Sequence, residues 1–244
     1  MPNLNVAQFN IPGGSFKFSA VRPEHLTETE YTLVTIAVDI SGSVEEFDSH
    51  LIQALKDIIK ACRKSPKADN LLVRVVLFQS EVKELHGFRP ISDIDEDKEY
   101  ILNCGGGTAL FDASYDSVVS TTRYAEVLYQ QDFSVNGIVF IITDGDDNNS
   151  KMTAQSVHQA VSESISKEEI DSLTTVLVGV NLRNNCDKYL DNFSKQAELN
   201  AFIDIGDASP EKFAKLANFV SKSISSASKS LGTGASIPKD QLIF

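Results

Sequence analysis

The sequence predicts a doubly wound α/β domain: a mostly parallel central sheet with one antiparallel edge strand, helices on both faces, and a β-hairpin added at the N-terminus. Three observations carry this. Short apolar, β-branched runs recur along the chain, amphipathic stretches of helical period separate them, and oxygen-bearing residues follow the runs where the chain would leave the sheet. Strands alternating with helices imply parallel pairing, because a parallel strand needs a crossover connection.

Residues 6–11 and 15–21, joined by Pro12-Gly13-Gly14, read as the hairpin, with Phe9, Ile11, Phe16 and Phe18 on its apolar face. That face is too large to leave in water, so the hairpin packs on the sheet or on a neighbouring subunit. Residues 32–38 read as a strand buried on both faces. From 44 to 64 the period changes, and Phe47, Leu51, Leu55, Ile58, Ile59 and Cys62 share one helical face. Residues 71–78 are a second buried strand, and 81–88, reached by a tight turn, the antiparallel edge strand. Gly105-Gly106-Gly107 is a permissive loop leading into a helix over 109–129. Residues 137–143 are a third buried strand. Helix 154–170, strand 173–180, helix 187–199 and strand 201–205 follow. Ser209 caps a final helix with Pro210 at its first position, running to about residue 226. The chain divides into an extension (1–30), the α/β domain (31–228) and a Gly/Ser-rich tail (229–244) ending Leu242-Ile243-Phe244. The tail reads as a frayed terminus or as an apolar end that docks beside the hairpin or on another chain.

With 244 residues the chain can build one sizeable core. Its net charge of −12 repels phosphate backbones, so nucleic acid is not an expected partner. No apolar run reaches the roughly 20 residues that cross a bilayer. Cys62, Cys104 and Cys186 form no disulfide framework or zinc spacing, and the first residues lack the pattern of a signal peptide; both point to the cytosol. Acidic clusters at Glu45-Glu46, 93–99 and 144–147 read individually as solvated surface.

Function in doubly wound sheets collects at the carboxyl ends of the strands. Asp39, Ser41 and Ser43 follow the first buried strand, Thr108 closes the Gly-rich loop, and Asp144 follows the third buried strand. These are hard oxygen donors, suited to Mg²⁺, Mn²⁺ or Ca²⁺ rather than zinc or copper. Two carboxylates only neutralise a divalent ion, and neutral hydroxyls leave it electrophilic toward an outside anion. Ser43 and Thr108 also fall at expected helix N-termini, where the helix dipole favours negative charge. Asp112 is expected to favour its helix N-terminus or to hydrogen-bond a water of the metal site, Cys104 to pack in its loop, and Asp146 and Asp147 to steer a partner or line a solvated turn.

At these residues the sequence resembles the von Willebrand factor A family and its metal-ion-dependent adhesion site. The family's Asp-x-Ser-x-Ser, distant Thr and later Asp in Thr-Asp-Gly are matched by Asp39, Ser41, Ser43, Thr108 and Asp144. Many intracellular members carry Met after the second Ser, where this chain has Val44. The resemblance spans about residues 31–226. It implies one Mg²⁺ (or Mn²⁺ or Ca²⁺) per chain, held by those five residues directly or through water, with a partner's Asp or Glu completing the shell. It further implies a protein-binding module without chemistry of its own, within a multiprotein system, an AAA-type ATPase being one partner found in the family. Two other readings stand beside it. A metal-assisted hydrolase or phosphoesterase would need a general base, and the sequence carries no Gly-x-Ser-x-Gly, Walker loop or His dyad. A structural subunit would use the ion only to stabilise the fold.

Overall fold

The computed structural model describes residues 6–11, 17–166, 169–229 and 242. Among these, the strands β1 (Val6–Asn10), β2 (Lys17–Val21), β3 (Glu30–Asp39), β4 (Leu71–Phe78), β5 (Val82–Pro90), β6 (Ser134–Thr143), β7 (Ser172–Gly179) and β8 (Ala201–Asp204) form one sheet in the order β1-β2-β5-β4-β3-β6-β7-β8. The five strands from β4 through β3, β6 and β7 to β8 are parallel neighbours, and β5 runs antiparallel to β4 as expected. Val38 pairs with both Leu77 and Ile142, so β3, β4 and β6 end at one level.

The helices are α1 (Asp48–Arg63), α2 (Glu96–Glu99), α3 (Leu110–Tyr129), α4 (Ala154–Ser166), α5 (Cys186–Gln196) and α6 (Pro210–Lys229). Because β3 and β6 are covered on both faces, their alternate residues feed two cores. Val34, Ile36 and Val38 meet α1 and α6, while Leu33, Ala37, Val139 and Ile141 meet α3, α4 and α5.

Two local expectations change. The single helix over 44–64 is a 3₁₀ turn, Gly42–Glu46, followed by α1, with Phe47 out of helical geometry between them. The acidic run 93–99 contains α2, and its Glu96 is buried, gripped by both terminal nitrogens of Arg63 at 3.1 and 2.7 Å. A four-residue helix is too short to show a period, and the arginine that pairs Glu96 lies more than thirty residues away in sequence.

The hairpin forms and joins the sheet. β1 pairs antiparallel with β2 from Val6↔Val21 to Asn10↔Lys17, and β2 meets β5 at Ala20↔Phe88, so the sheet continues beyond β5. Phe18 is buried, stacked on Phe9 and edge-on to Phe88. A Cβ at Gly87 would fall 1.9 Å from the Ser19 carbonyl, so only glycine lets β2 approach there. Arg74, in the middle of β4 and fully buried, anchors the hairpin. It donates to Glu84 (2.8 Å), Asp116 (2.8 Å) and Ser120 (3.0 Å), and Glu84 also accepts the Ser19 backbone N–H. The hairpin turn, with Phe16, lies outside the described residues, as does the tail except Leu242. Leu242 is buried with α1 and α6, in the core opposite that of Phe18, and so does not dock beside the hairpin.

Candidate metal centre

Asp39, Ser41, Ser43, Thr108 and Asp144 are carried by three loops at the carboxyl ends of the strands, and hydrogen bonds close those loops into a triangle. The loop after β3 meets the glycine loop through Gly105 N–H to Ile40 C=O (2.9 Å) and Gly42 N–H to Gly106 C=O (3.3 Å). It meets the loop after β6 through Thr143 Oγ1, which donates to Asp39 Oδ2 (2.6 Å), and Ser43 Oγ, which donates to Asp144 Oδ1 (2.9 Å). The glycine loop and the loop after β6 meet at Thr108, whose N–H donates to Asn148 Oδ1 (2.8 Å).

Asp39, Ser41, Thr108 and Asp144 are buried, whereas Ser43 is exposed at the surface. Asp39 Oδ1 accepts the Ser41 N–H at 2.8 Å. Burial pushes the Asp39 carboxyl up to about 6, opposed by the bonds from Thr143 and Ser41 and reinforced by the Asp144 charge. Burial raises Asp144 as well, against the bond from Ser43. Among the described residues neither carboxylate has a salt-bridge partner, and Arg183, which favours the charged Asp144, is itself paired with Glu46 at 2.7 Å. Two buried carboxylates with no ion pair are costly unless something cationic joins them.

The oxygen spacing fits a small octahedral ion. Neighbouring ligands about 2.1 Å from Mg²⁺ lie about 3.0 Å apart. Ser41 Oγ and Ser43 Oγ are 3.2 Å apart, and Ser43 Oγ is 2.9 Å from Asp144 Oδ1. No group of three or more His, Cys, Asp or Glu that could hold a metal ion occurs among the described residues.

Among the other residues Cys104 packs as expected, while the expectations for the helix starts and for Asp112 change. The first N–H groups around α3 are already engaged: Ala109 donates to Gln79 C=O, Phe111 to Asp147 Oδ1 and Asp112 to Ser150 Oγ. The start of α3 therefore has little donor capacity left for an outside anion, contrary to the dipole argument. Ser43 lies inside the 3₁₀ turn rather than at the start of α1. Asp112 is buried and accepts the N–H groups of Lys151 (2.9 Å) and Met152 (2.7 Å), tying down the loop after β6 instead of only favouring its helix. Cys104 packs against the α1/α6 core, its thiol pushed up to about 11 by burial and by surrounding carboxylates. Thr143, expected only as part of Thr-Asp-Gly, and Asn148, Asn149 and Ser150, for which nothing was expected, also hold the site together. The only signal was the turn-forming composition of Asn148-Asn149-Ser150.

No family model and no curated protein matches the sequence. Solved structures do. Proximal thread matrix protein 1 from the mussel byssus, in a form with a zinc-occupied MIDAS motif, is 18% identical with a TM-score of 0.55, over 82% of this chain and 46% of that one. The PilB minor pilin of Streptococcus sanguinis is 15% identical with a TM-score of 0.57, over 84% and 64%. A von Willebrand factor type A protein from Catenulispora acidiphila is 16% identical with a TM-score of 0.54, over 88% and 45%. The chain thus spans about half the length of the mussel protein. The cytosolic expectation is corrected by the mussel byssus protein and the minor pilin, which with the pilus adhesin SpaC of Lactobacillus rhamnosus GG are matrix or pilus proteins and point away from the cytosol. Its physical basis was weak: Cys62, Cys104 and Cys186 are free, and unpaired thiols do not report a compartment. The AAA-type ATPase partner, tied to an intracellular setting, finds no support among these neighbours. No described helix is long and apolar enough to cross a membrane. At such identities the likeness shows the fold, and the fold is that of a von Willebrand factor A-type domain.

Proposed function

We propose that this protein is a metal-dependent protein-interaction module of adhesive or matrix type. One Mg²⁺, or Mn²⁺ or Ca²⁺, is held by Asp39, Ser41, Ser43, Thr108 and Asp144, directly or through water, and an Asp or Glu of a protein partner completes its shell. The observation that carries the reading is the pair of buried carboxylates without a salt bridge, one of which, Asp144, is joined through Ser43 to Ser41 at distances that neighbouring ligands of one small ion would also show. The zinc-occupied motif of the mussel protein supports a divalent ion at a fold of this kind. The ion supplies the positive charge that captures the partner's acid; the chain supplies rigid positioning and the neutral hydroxyls that leave the ion electrophilic.

Binding rather than turnover is favoured by the surroundings. Among the described residues the side chains of His50, His86 and His158 face Ala208, Gly87 and Glu198 rather than any of the five candidate ligands.

The test is calorimetric titration with Mn²⁺. Wild type is expected to bind one ion per chain, and Asp144→Ala to lose binding while keeping its circular dichroism spectrum. Equal Mn²⁺ affinity in the two proteins refutes the assignment.

A further inference from the structure

The loop after β6 grips the candidate site from outside. Asn148 engages both backbone groups of Thr108: its Oδ1 accepts the Thr108 N–H at 2.8 Å, and its own N–H donates to the Thr108 carbonyl at 3.0 Å. The Asn149 N–H reaches the same carbonyl at 3.2 Å, and Asn149 Nδ2 donates to Ser80 C=O at 2.7 Å. Gly107 leaves the space this needs, since a Cβ there would lie 2.7 Å from Asn148 Oδ1. Four residues beyond Asp144 in the chain, Asn148 thus links the loop of one proposed ligand to the backbone of another.

We propose that Asn148 is a positioning residue for the metal centre, fixing Thr108 relative to Asp144 so that both ligands move as one body. This rests on the metal reading above. Asn148 is not itself a ligand, because its bonds go to the Thr108 backbone. Its Oδ1 contact is the one bond to Thr108 that a side-chain change removes while the two bonds donated by backbone N–H groups remain. Groups that orient metal ligands from behind commonly change metal affinity by about 10–100-fold when removed. Gly107 has an ordinary backbone conformation, so an added methyl acts by pushing Asn148 aside and not by straining the chain.

The experiment is Mn²⁺ titration of the full chain with melting temperature recorded alongside, for wild type, Asn148→Ala, Gly107→Ala, the double variant, Asn148→Asp and Asn149→Asp. Expected are a loss of about tenfold or more in Asn148→Ala, a similar loss in Gly107→Ala, and no further loss in the double variant, because both act on one contact. Asn148→Asp keeps the acceptor and is expected to recover most of the affinity. Asn149→Asp is made in the Asn148→Ala protein, where it adds the same charge one residue along without that acceptor; recovery there as large as in Asn148→Asp would be recovery by charge alone and would overturn the proposal. An Asn148→Ala protein that melts lower yet binds Mn²⁺ within about twofold of wild type overturns it as well, leaving the metal reading intact. Wild type that binds no Mn²⁺ overturns the metal reading, and the proposal with it.

Discussion

Removing the Asp116 carboxylate should destabilise the whole domain, because it leaves an arginine buried without half its countercharge. Arg74 and Asp116 have side chains 1% and 2% exposed and lie 2.8 Å apart. Burial opposes the Arg74 charge, but Asp116 and Glu84 outweigh it and hold the guanidinium above its ordinary range. Breaking a buried ion pair on one side costs about 3–5 kcal/mol. Glu84 and Ser120 still contact Arg74 after Asp116→Ala, so the lower end applies, about 3 kcal/mol. For a chain of this size each kcal/mol moves the melting temperature by about 2–4 °C, giving a fall of about 6–12 °C. Replacing both partners by apolar residues, Arg74→Met with Asp116→Leu, removes the stranded charge and should recover more than half the loss. The assay is thermal unfolding followed by circular dichroism. A melting temperature within about 2 °C of wild type in Asp116→Ala would refute the reasoning.

Two further outcomes are expected. Gly87→Ala places a methyl against the Ser19 carbonyl and should undock the hairpin, seen as new proteolytic cleavage before residue 22 while the remaining domain persists; an unchanged digest refutes this. His86 is held neutral, its pKa lowered from 6.5 to about 4 chiefly by burial, with nearby Arg89 adding. The unfolded chain therefore binds the extra proton first, so the contribution of His86 to stability is complete above pH 6.5 and is lost as pH falls through 4. Between pH 7 and pH 5 this amounts to about 2 kcal/mol, which His86→Leu should remove from the difference between denaturant unfolding curves at the two pH values.

The parts of the fold that announce themselves are those decided by local pattern. Residues 71–78 form β4 at the expected bounds, and the β3 and β6 runs place Asp39 and Asp144 correctly, because a strand buried on both faces must be apolar throughout. That the three loops carrying Asp39, Ser41, Ser43, Thr108 and Asp144 meet at one edge of the sheet is legible from order and chain direction alone. What pattern could not show is how distant residues satisfy one another. Arg74 sits in an apolar run as an apparent exception, and its partners lie on β5 and α3. Asp112 looks like an ordinary first-turn acid until the loop at Lys151 and Met152 folds onto it. The occupied start of α3 is of the same kind: its N–H groups are free in any isolated helix and become engaged only when another loop arrives. Localisation failed for a different reason, since the number of cysteines constrains a fold far more than it constrains where the fold works.

The pairing of β1 with β2 also has a mechanical consequence. Val6 faces Val21 at the open end of the hairpin, so a pull on the chain at Val6 against the body of the domain loads the ladder from one end. Bonds loaded this way part singly, like a zipper, whereas strands drawn past each other share the load across every rung. β1 would peel away rung by rung and lengthen the chain, its Phe9 leaving Phe18 and Tyr124 on the way. The peeling stops where β2 is fastened from the side, at Ser19 on Glu84 and at the Val21 carbonyl, which accepts the Tyr124 hydroxyl at 2.7 Å. The hairpin thus behaves as a short extensible leader in front of a stiffer body.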